Sequence, residues 1–350
     1  MTNVGLIVIG AGVSGLACAR EYRRRGGSVV VLERSRGAGG RCATRRIDGQ
    51  PVDHGCPFLH AQSPQFADVL DKLDADGNLP GWPVEVRESR LACQPDAFTP
   101  GHRRLARADG MTALPKHLAE GLDVRLQHEV DAITCERGLV RVRCTNGASF
   151  ESGTLVCAMS IAQSLALLEP LVQHWPGAPE TLERMHGVQV LPVLTLIAGW
   201  ALDSPEPEFD AWHPIETTMI GAIYHDSRKR RAPRHRVLVV HARPAFSREH
   251  LDTDRAAWAA ELQWELGELL GSWAARPLWV QPHRWEGGRV RNDDLLGGPA
   301  GFDPPSGGRI VVVGDAFAAT PGVEGAFWSG HGAGERLAKQ ADSIGVGRKK

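Results

Sequence analysis

The stretch GLIVIGAGVSGLACAREYRRRGGSVVVLE (5–33) limits the possible folds more than any other part of the chain. GLIVIG (5–10) is a continuous apolar run ending at glycine, as expected of a central strand buried on both faces of a parallel sheet. Residues 10–27 carry apolar positions on one helical face and close on Gly26-Gly27, and SVVVLE (28–33) is a second buried strand. The spacing predicts β-α-β with tight turns. At the strand-to-helix turn lies Gly10-Ala11-Gly12-Val13-Ser14-Gly15, a G-x-G-x-x-G pattern. Gly10 permits the turn, Gly12 lets backbone approach a pyrophosphate, and Gly15 permits close helix–strand packing. Val13 and Ser14 open the helix, whose positive end and free N–H groups favour phosphate. Glu33 closes the second strand, where a carboxylate accepts from ribose hydroxyls and repels a 2′-phosphate. Arg34, next to it, joins the expected dinucleotide contacts. The pattern is weak alone; here strand, spacing and acid agree.

A second glycine cluster follows the second strand: Arg36-Gly37-Ala38-Gly39-Gly40-Arg41. NAD does not need it. A longer dinucleotide does, because Gly39, Gly40 and Arg41 add backbone N–H groups and a guanidinium near the pyrophosphate. Near the other end, VVVGD (311–315) is a strand delivering Gly314-Asp315, and GVEGA (322–326) opens a last helix. Asp315 is placed for a polyol hydroxyl. The helix start, with Val323, Glu324 and Ala326, is placed to stabilise a reduced flavin. The cofactor expected is FAD, and no Cys lies in this segment to form a thioether with it.

Composition excludes other classes. With 350 residues, 42% hydrophobic, a formal net charge of −1 and no polybasic or polyacidic block, nucleic acid and an anionic membrane are not the expected partners. No apolar run reaches the roughly 20 residues needed to span a bilayer, and the N-terminal apolar stretch lacks a charged n-region. Seven scattered Cys (18, 42, 56, 93, 135, 144 and 157), with no C-x-x-C pair, suit a reducing compartment, so the expected location is cytoplasmic. Lys is scarce, which leaves few places for a catalytic lysine.

Together G-x-G-x-x-G, Glu33, R-G-x-G-G-R and the C-terminal GD…VEGAF-x-SG resemble the FAD-dependent amine-oxidase superfamily. SRGAGGR (35–41), D-x-G (53–55), GM (110–111), VVHA…FS…LD (239–252) and HRW (283–285) are most similar to bacterial renalase-type oxidoreductases. The resemblance covers nearly the whole chain; its FAD motifs are specific and its central matches looser. It implies an α/β fold: a Rossmann-like FAD-binding domain of parallel sheet and helices formed by both ends of the chain, plus a smaller mixed-sheet and helix substrate domain. The expected boundaries are 1–80, 108–165 and 300–345 for the first, and 81–107 and 166–299 for the second. It also implies a backbone contact to adenine at Val130.

Renalase-type chemistry takes hydride from a 2- or 6-dihydro-NAD(P) to flavin N5 and reduces O₂ to H₂O₂. The substrate expected on this reading is a small molecule, a nicotinamide nucleotide in particular, with O₂ as acceptor. The cofactor does the hard chemistry and the protein supplies position. The competing reading is a flavin amine oxidase or another flavin oxidoreductase. With two Tyr in the chain, Tyr22 in the first helix and Tyr224, a two-Tyr substrate cage is impossible. A third reading is an FAD-binding protein without efficient turnover.

Residues 53–60 read DHGCPFLH, which suggests a metal site at first glance. The spacing of His54, Cys56 and His60 fits no common zinc pattern, and the stretch follows a pyrophosphate motif, so no metal is expected. Gly55, Cys56, Pro57 and Phe58 are expected to run past the flavin, where relatives carry a small residue, then Gln-Tyr. His60, His241, His283 and Arg284 are the substrate-pocket candidates. Arg243 is read as an anchor for an anionic substrate or for a surface carboxylate, and Arg228-Lys229-Arg230-Arg231 as a solvated loop. Helices are expected over 63–77 (Ser63 as N-cap), 110–122 and 252–273 (capped by Asp252 or Thr253). Trp258 and Trp264 are read as packing residues, with hairpin turns at Arg137-Gly138 and Asn146-Gly147.

Overall fold

A computed structural model describes residues 2–344 apart from positions 74, 93, 174 and 176–178. Cys93 and position 345, the expected end of the first domain, lie outside the described residues. In chain order the elements used below are β1 (Leu6–Ile9), α1 (Val13–Arg24), β2 (Val29–Glu33), β3 (Thr44–Ile47), β4 (Gln50–Asp53), α2 (Pro64–Asp71), β5 (Val86–Arg87), α3 (Ala113–Ala119), β6 (Asp123–Leu126), β7 (Val130–Glu136), β8 (Leu139–Cys144), β9 (Ser149–Ser152), β10 (Thr154–Cys157) and α4 (Ile161–Val172). They continue with β11 (Val190–Trp200), β12 (Ala211–Trp212), β13 (Ile220–His225), β14 (Arg236–Ala242), α5 (Arg255–Leu270), β15 (Trp279–Val290), β16 (Ala300–Phe302), β17 (Arg309–Val312) and α6 (Gly322–Ile344).

Contacts divide the chain into two units. The first comprises the chain to Gly40, Leu114–Val190, and the chain from Val290; the second comprises Arg41–Ala113 and Leu191–Arg289. These boundaries differ from those expected. Segment 41–80 joins the second unit because Ile47, Val52 and Phe58 bury against its sheet. Segment 166–190 joins the first because Leu168, Val172, Leu182 and Met185 enter the first unit's core.

The first unit is a six-stranded sheet in the order β6-β2-β1-β10-β17-β16, parallel except for the β16–β17 pair. Its central strands are apolar on both faces, and β1 and β2 are wholly buried. Such strands need cover on both sides. The close approach of α1 and α6 is written in glycine: a Cβ at Gly330 would collide with the Ser14 carbonyl oxygen, and one at Gly334 with that of Cys18. Both glycines share a face of α6 at i, i+4 and meet the same spacing on α1. Strands β7, β8 and β9 form an antiparallel meander. Arg137 (φ 51°) and Gly138 (φ 81°) make its first turn as expected, because both positions need positive φ. The second turn uses Gly147 (φ 84°), with Asn146 Oδ1 accepting from the Ala148 N–H at 3.0 Å.

The second unit has a six-stranded sheet, β15-β11-β14-β13-β12-β5. Alternation sorts its side chains. Leu194, Leu196, Ala198, Leu238 and Val240 face α5, which buries Trp258, Leu262 and Leu266 against them. Ile197, Val237, Val239, Ala222 and Tyr224 face the other way, against Ile47, Val52, Phe58 and Trp82. Helix α5 is shorter than expected. Its cap is Asp254, whose carboxylate accepts from the Ala256 and Ala257 N–H groups, and Gly271 (φ 97°) ends it. Asp252 and Thr253 precede the cap. Trp264 is 57% exposed and lies outside the core. Ser63 does cap α2, but that helix ends at Asp71, and 75–77 is a separate 3-10 turn. Helix α3 spans 113–119 rather than 110–122. Among the described residues, no helix is long and apolar enough to cross a membrane.

Candidate functional site

In the first unit the two glycine motifs form one backbone structure. The Gly39 N–H donates to the Ala11 carbonyl at 2.9 Å, and a Cβ at Gly40 (φ 54°) would stand 3.5 Å from Gly12 Cα. Gly10 (φ 102°) makes the turn with Ala158 carbonyl behind it, and a Cβ at Gly15 would strike the Gly10 carbonyl oxygen. Around Gly12, by contrast, a Cβ would meet nothing within 4 Å, and the same holds at Gly37. Gly12 is the N-cap of α1 and supplies no side-chain cap, so the first-turn N–H groups face that open space. Val13 and Ser14 are buried beneath it. This is a cradle for an anion.

Glu33 lies at its edge, its two carboxylate oxygens accepting from the Ala11 and Ser35 N–H groups, each at 2.8 Å. Arg34 beside it is exposed. Val130 is buried at the start of β7, next to a bulge. The Gly314 N–H donates to Ser329 Oγ at 3.2 Å, and buried Asp315 opens a 3-10 turn. In the first turns of α6, Val323 is half-buried, Ala326 is buried, and buried Glu324 accepts from Trp328 Nε1 at 3.3 Å.

In the second unit, Arg41 reaches towards the Gly288 carbonyl at 3.5 Å. Segment 53–58 is held by charges that the sequence reading placed in solvent. Lys229 and Arg230 are 1% and 8% exposed. Lys229 Nζ lies 2.6 Å from Asp53 Oδ2 and 2.7 Å from Asp226 Oδ1, and donates to the Pro57 carbonyl at 3.1 Å. Arg230 Nη2 bridges the same two carboxylates at 2.8 and 2.7 Å. Asp53 Oδ1 accepts from Thr44 Oγ1 and the Met111 N–H. Burial alone would raise the Asp53 pKa, but the Lys229 and Arg230 charges overcome it and hold the carboxyl well below the usual carboxylate range. The 228–231 run is therefore not a solvated loop throughout: Lys229 and Arg230 are buried, whereas Arg228, which pairs with Asp210, and Arg231 are exposed.

The side chains of DHGCPFLH diverge. His54 packs on His283 and Trp285, with ring centroids 4.7 and 5.0 Å away. Cys56 donates to the Phe58 carbonyl, and His60 pairs with His102 at 3.1 Å. Gly55 is needed for protein packing, since a Cβ there would meet the Arg41 carbonyl and Trp285. Phe58 is 5% exposed, edge-on to Trp82 and Phe98.

A polar face forms around His54. Its carbonyl accepts from both His241 Nε2 and Trp285 Nε1, at 3.2 Å each. Thr195 stands opposite His241 in register, and Tyr224 packs edge-on to it at 5.3 Å. Arg45 reaches His283 Nδ1 at 2.7 Å and Gln281 at 3.2 Å. Burial, then His283 and Arg45, pushes the His54 imidazole down to about 3, and burial followed by Arg45 and Arg255 takes His283 to about 4. Burial followed by Arg289 takes His241 to about 4. These imidazoles are neutral at pH 7. Among the described residues, buried His54 Nδ1, Thr195 Oγ1 and His213 Nδ1 have no hydrogen-bond partner.

Of the four pocket candidates, the structure brings His241 and His283 together on this face and leaves out two. His60 is engaged by His102, and Arg284 bonds the Thr253 carbonyl beside the α5 cap. Arg243 serves neither proposed role, because its guanidinium donates to the Thr217 and Pro214 carbonyls. Sequence reasoning missed Arg45, His54, Trp285 and Arg289. The period-two series Gln281, His283, Trp285, Arg289 in β15 was the available signal.

Residues 8–73 match the model of an NAD(P)-binding Rossmann-like domain, and residues 81–338 match that of the flavin containing amine oxidoreductases. The chain belongs to the flavin-containing amine oxidoreductase family. FAD is its cofactor, and the open cradle at Gly12 fits the pyrophosphate of that group. Within this family, a Mycobacterium tuberculosis protein described as a flavin-containing monoamine oxidase is 46% identical over 57 residues, 16% of this chain and 13% of that one. An Arabidopsis thaliana protein described as polyamine oxidase 4 is 45% identical over 70 residues, 19% of this chain and 14% of that one. These matches thus span about a seventh of the length of those relatives. A redesigned putrescine oxidase superposes with a TM-score of 0.71 over 97% of this chain and 99% of that one, at 14% identity, which speaks for the fold.

Proposed function

We propose that this flavin oxidoreductase oxidises the C–N bond of a small amine. The family match across 81–338 carries the reading, because it covers Thr195, His241, His283 and Trp285 of the polar face, while Arg45 and His54 lie in the 8–73 match. The amine reading replaces dihydronicotinamide oxidation as the preferred one: the curated relatives that match include amine and polyamine oxidases.

On this reading the cradle residues Gly12, Val13, Ser14, Gly39 and Gly40 would hold the pyrophosphate by backbone N–H groups. Glu33 would take the ribose, Val130 the adenine, and Asp315 with Val323, Glu324 and Ala326 the flavin end. FAD bound there would supply a hydride acceptor for the carbon next to nitrogen, where the nitrogen lone pair would close a C=N bond. That lone pair exists only on the free base. The neutral imidazoles of His54, His241 and His283, beside the guanidinium of Arg45, favour the free base over the ammonium ion. His54 Nδ1, buried and without a partner, supplies an acceptor for a substrate N–H. The electron acceptor that reoxidises the cofactor is proposed to be O₂, and the scattered free thiols suit the cytoplasm.

The test is anaerobic mixing of holoenzyme with amines, with NADH and with 2- and 6-dihydro-NAD isomers. Loss of flavin absorbance with amines is the expected result. Bleaching by the isomers alone restores the dihydronicotinamide reading, and no bleaching at all indicates FAD binding without turnover.

A further inference from the structure

We propose that the polar face of the second unit binds a carboxylate carried by the substrate, with Arg289 as its counter-ion. The inference rests on reading this face as the substrate site. In β15, Gln281, His283, Trp285 and Arg289 fall at even spacings, so they project from one side of the strand. Trp285 and His283 are already fixed on the His54 face by their ring contacts. Arg289 is half-buried, and among the described residues no hydrogen bond or ion pair engages its side chain. Its charge is felt by His241 and by His213, from two different parts of the chain.

The rest of the field has the same sign. Arg45 is half-buried, and its described partners, Gln281 and His283, are both neutral. Arg255 adds a third guanidinium acting on His283 and Arg45. Asp53, whose negative charge acts on His54, is already committed to Lys229 and Arg230. A guanidinium partly withdrawn from water, without a carboxylate of its own, is the side chain best suited to take one from a ligand, by paired N–H···O bonds. Thr195 Oγ1 and His213 Nδ1, buried and unpaired, are further polar atoms left for a ligand to satisfy. A dicationic amine would meet three positive charges here. An amine that also bears a carboxylate would not.

Benzoate and benzylamine share a ring and differ in the sign of their charge. Isothermal titration calorimetry of holoenzyme with each is the test. Benzoate is expected to bind more tightly than benzylamine. Arg289→Met should weaken benzoate at least tenfold at unchanged FAD content and unfolding temperature, and Arg289→Lys should recover part of it. Absence of benzoate binding, benzylamine binding as tight as benzoate, or benzoate affinity within twofold of wild type in Arg289→Met overturns the proposal. If no amine reduces the flavin yet benzoate binding depends on Arg289, the amine-oxidising function fails and this site stands. If amines reduce the flavin at rates indifferent to a carboxylate and to Arg289→Met, the function stands and this site fails.

Discussion

Lys229 Nζ lies 2.6 Å from Asp53 Oδ2, with both side chains at 0% exposure, although 176 residues separate them. With Asp226 and Arg230 they form a neutral set of two acids and two bases that ties β4, the 226–229 turn, the Met111 N–H and the Pro57 carbonyl together. Removing one member of such a set leaves a charge uncompensated in the interior, at a cost of about 3–5 kcal/mol. Lys229→Met is expected to destabilise the protein by that amount in urea unfolding, and to loosen segment 53–58, seen as faster hydrogen exchange there. A loss below about 1 kcal/mol would show that the network contributes little.

Acid should unfold this protein early. His54, His213, His225, His241 and His283 are all pushed down, to about 3 for His54 and about 4 for the others, with burial the leading cause in each. An unfolded imidazole binds a proton near pH 6.5, whereas these native ones do not until pH 3–4. The unfolded state therefore holds more protons across that window, and stability falls as pH drops from about 6.5 towards 4. Each fully buried imidazole removes about 1.4 kcal/mol per pH unit once well below 6.5. Urea midpoints at pH 7.5, 6.5 and 5.5 should fall with increasing steepness. Equal midpoints at all three would contradict the neutral burial of these rings.

Substrate protonation should control the reductive step. If the site takes the free amine, the second-order rate of anaerobic flavin reduction should rise about tenfold per pH unit between pH 7 and 9 for an amine of pKa well above 9. A flat profile would mean that the ammonium form binds and is deprotonated in place.

Glu33 anchors the turn of the cradle through the Ala11 and Ser35 N–H groups. Glu33→Gln turns an N–H₂ towards one of those donors and removes the charge that faces ribose hydroxyls. FAD content after dialysis, read from the flavin-to-protein absorbance ratio, should drop severalfold. Unchanged retention would move the adenosine end of the cofactor elsewhere.

Helix α6 tolerates no side chain where it crosses α1. Gly330→Ala places a methyl against the Ser14 carbonyl oxygen, and overpacking of this kind costs about 1–3 kcal/mol. The thermal midpoint should fall by several degrees. An unchanged midpoint would mean that the two helices can separate without loss.

Much of the fold and the cofactor cradle was legible in the sequence. The strand-turn-helix of 5–33, the roles of Gly10 and Gly15, the paired glycine motifs and the Arg137-Gly138 turn depend on local backbone geometry and on periodic burial, and a linear pattern records both. The ends of α2 and α5 were less legible, because Asp252, Thr253 and Asp254 are all competent caps and only the path of the chain selects one. The charged residues were misread for a deeper reason. A run such as Arg228-Lys229-Arg230-Arg231 looks solvated until its partners are known, and those partners, Asp53 and Asp226, reach Lys229 and Arg230 only in the folded chain. Arg289 shows the reverse: its place in the period-two series of β15 is its mark along the chain, and the fold sets its charge to act on two buried imidazoles, with no carboxylate paired to it among the described residues. Backbone motifs carry their meaning in sequence because their interactions are short-range. The fate of a charge depends on the dielectric and the counter-charges around it, which tertiary packing alone decides.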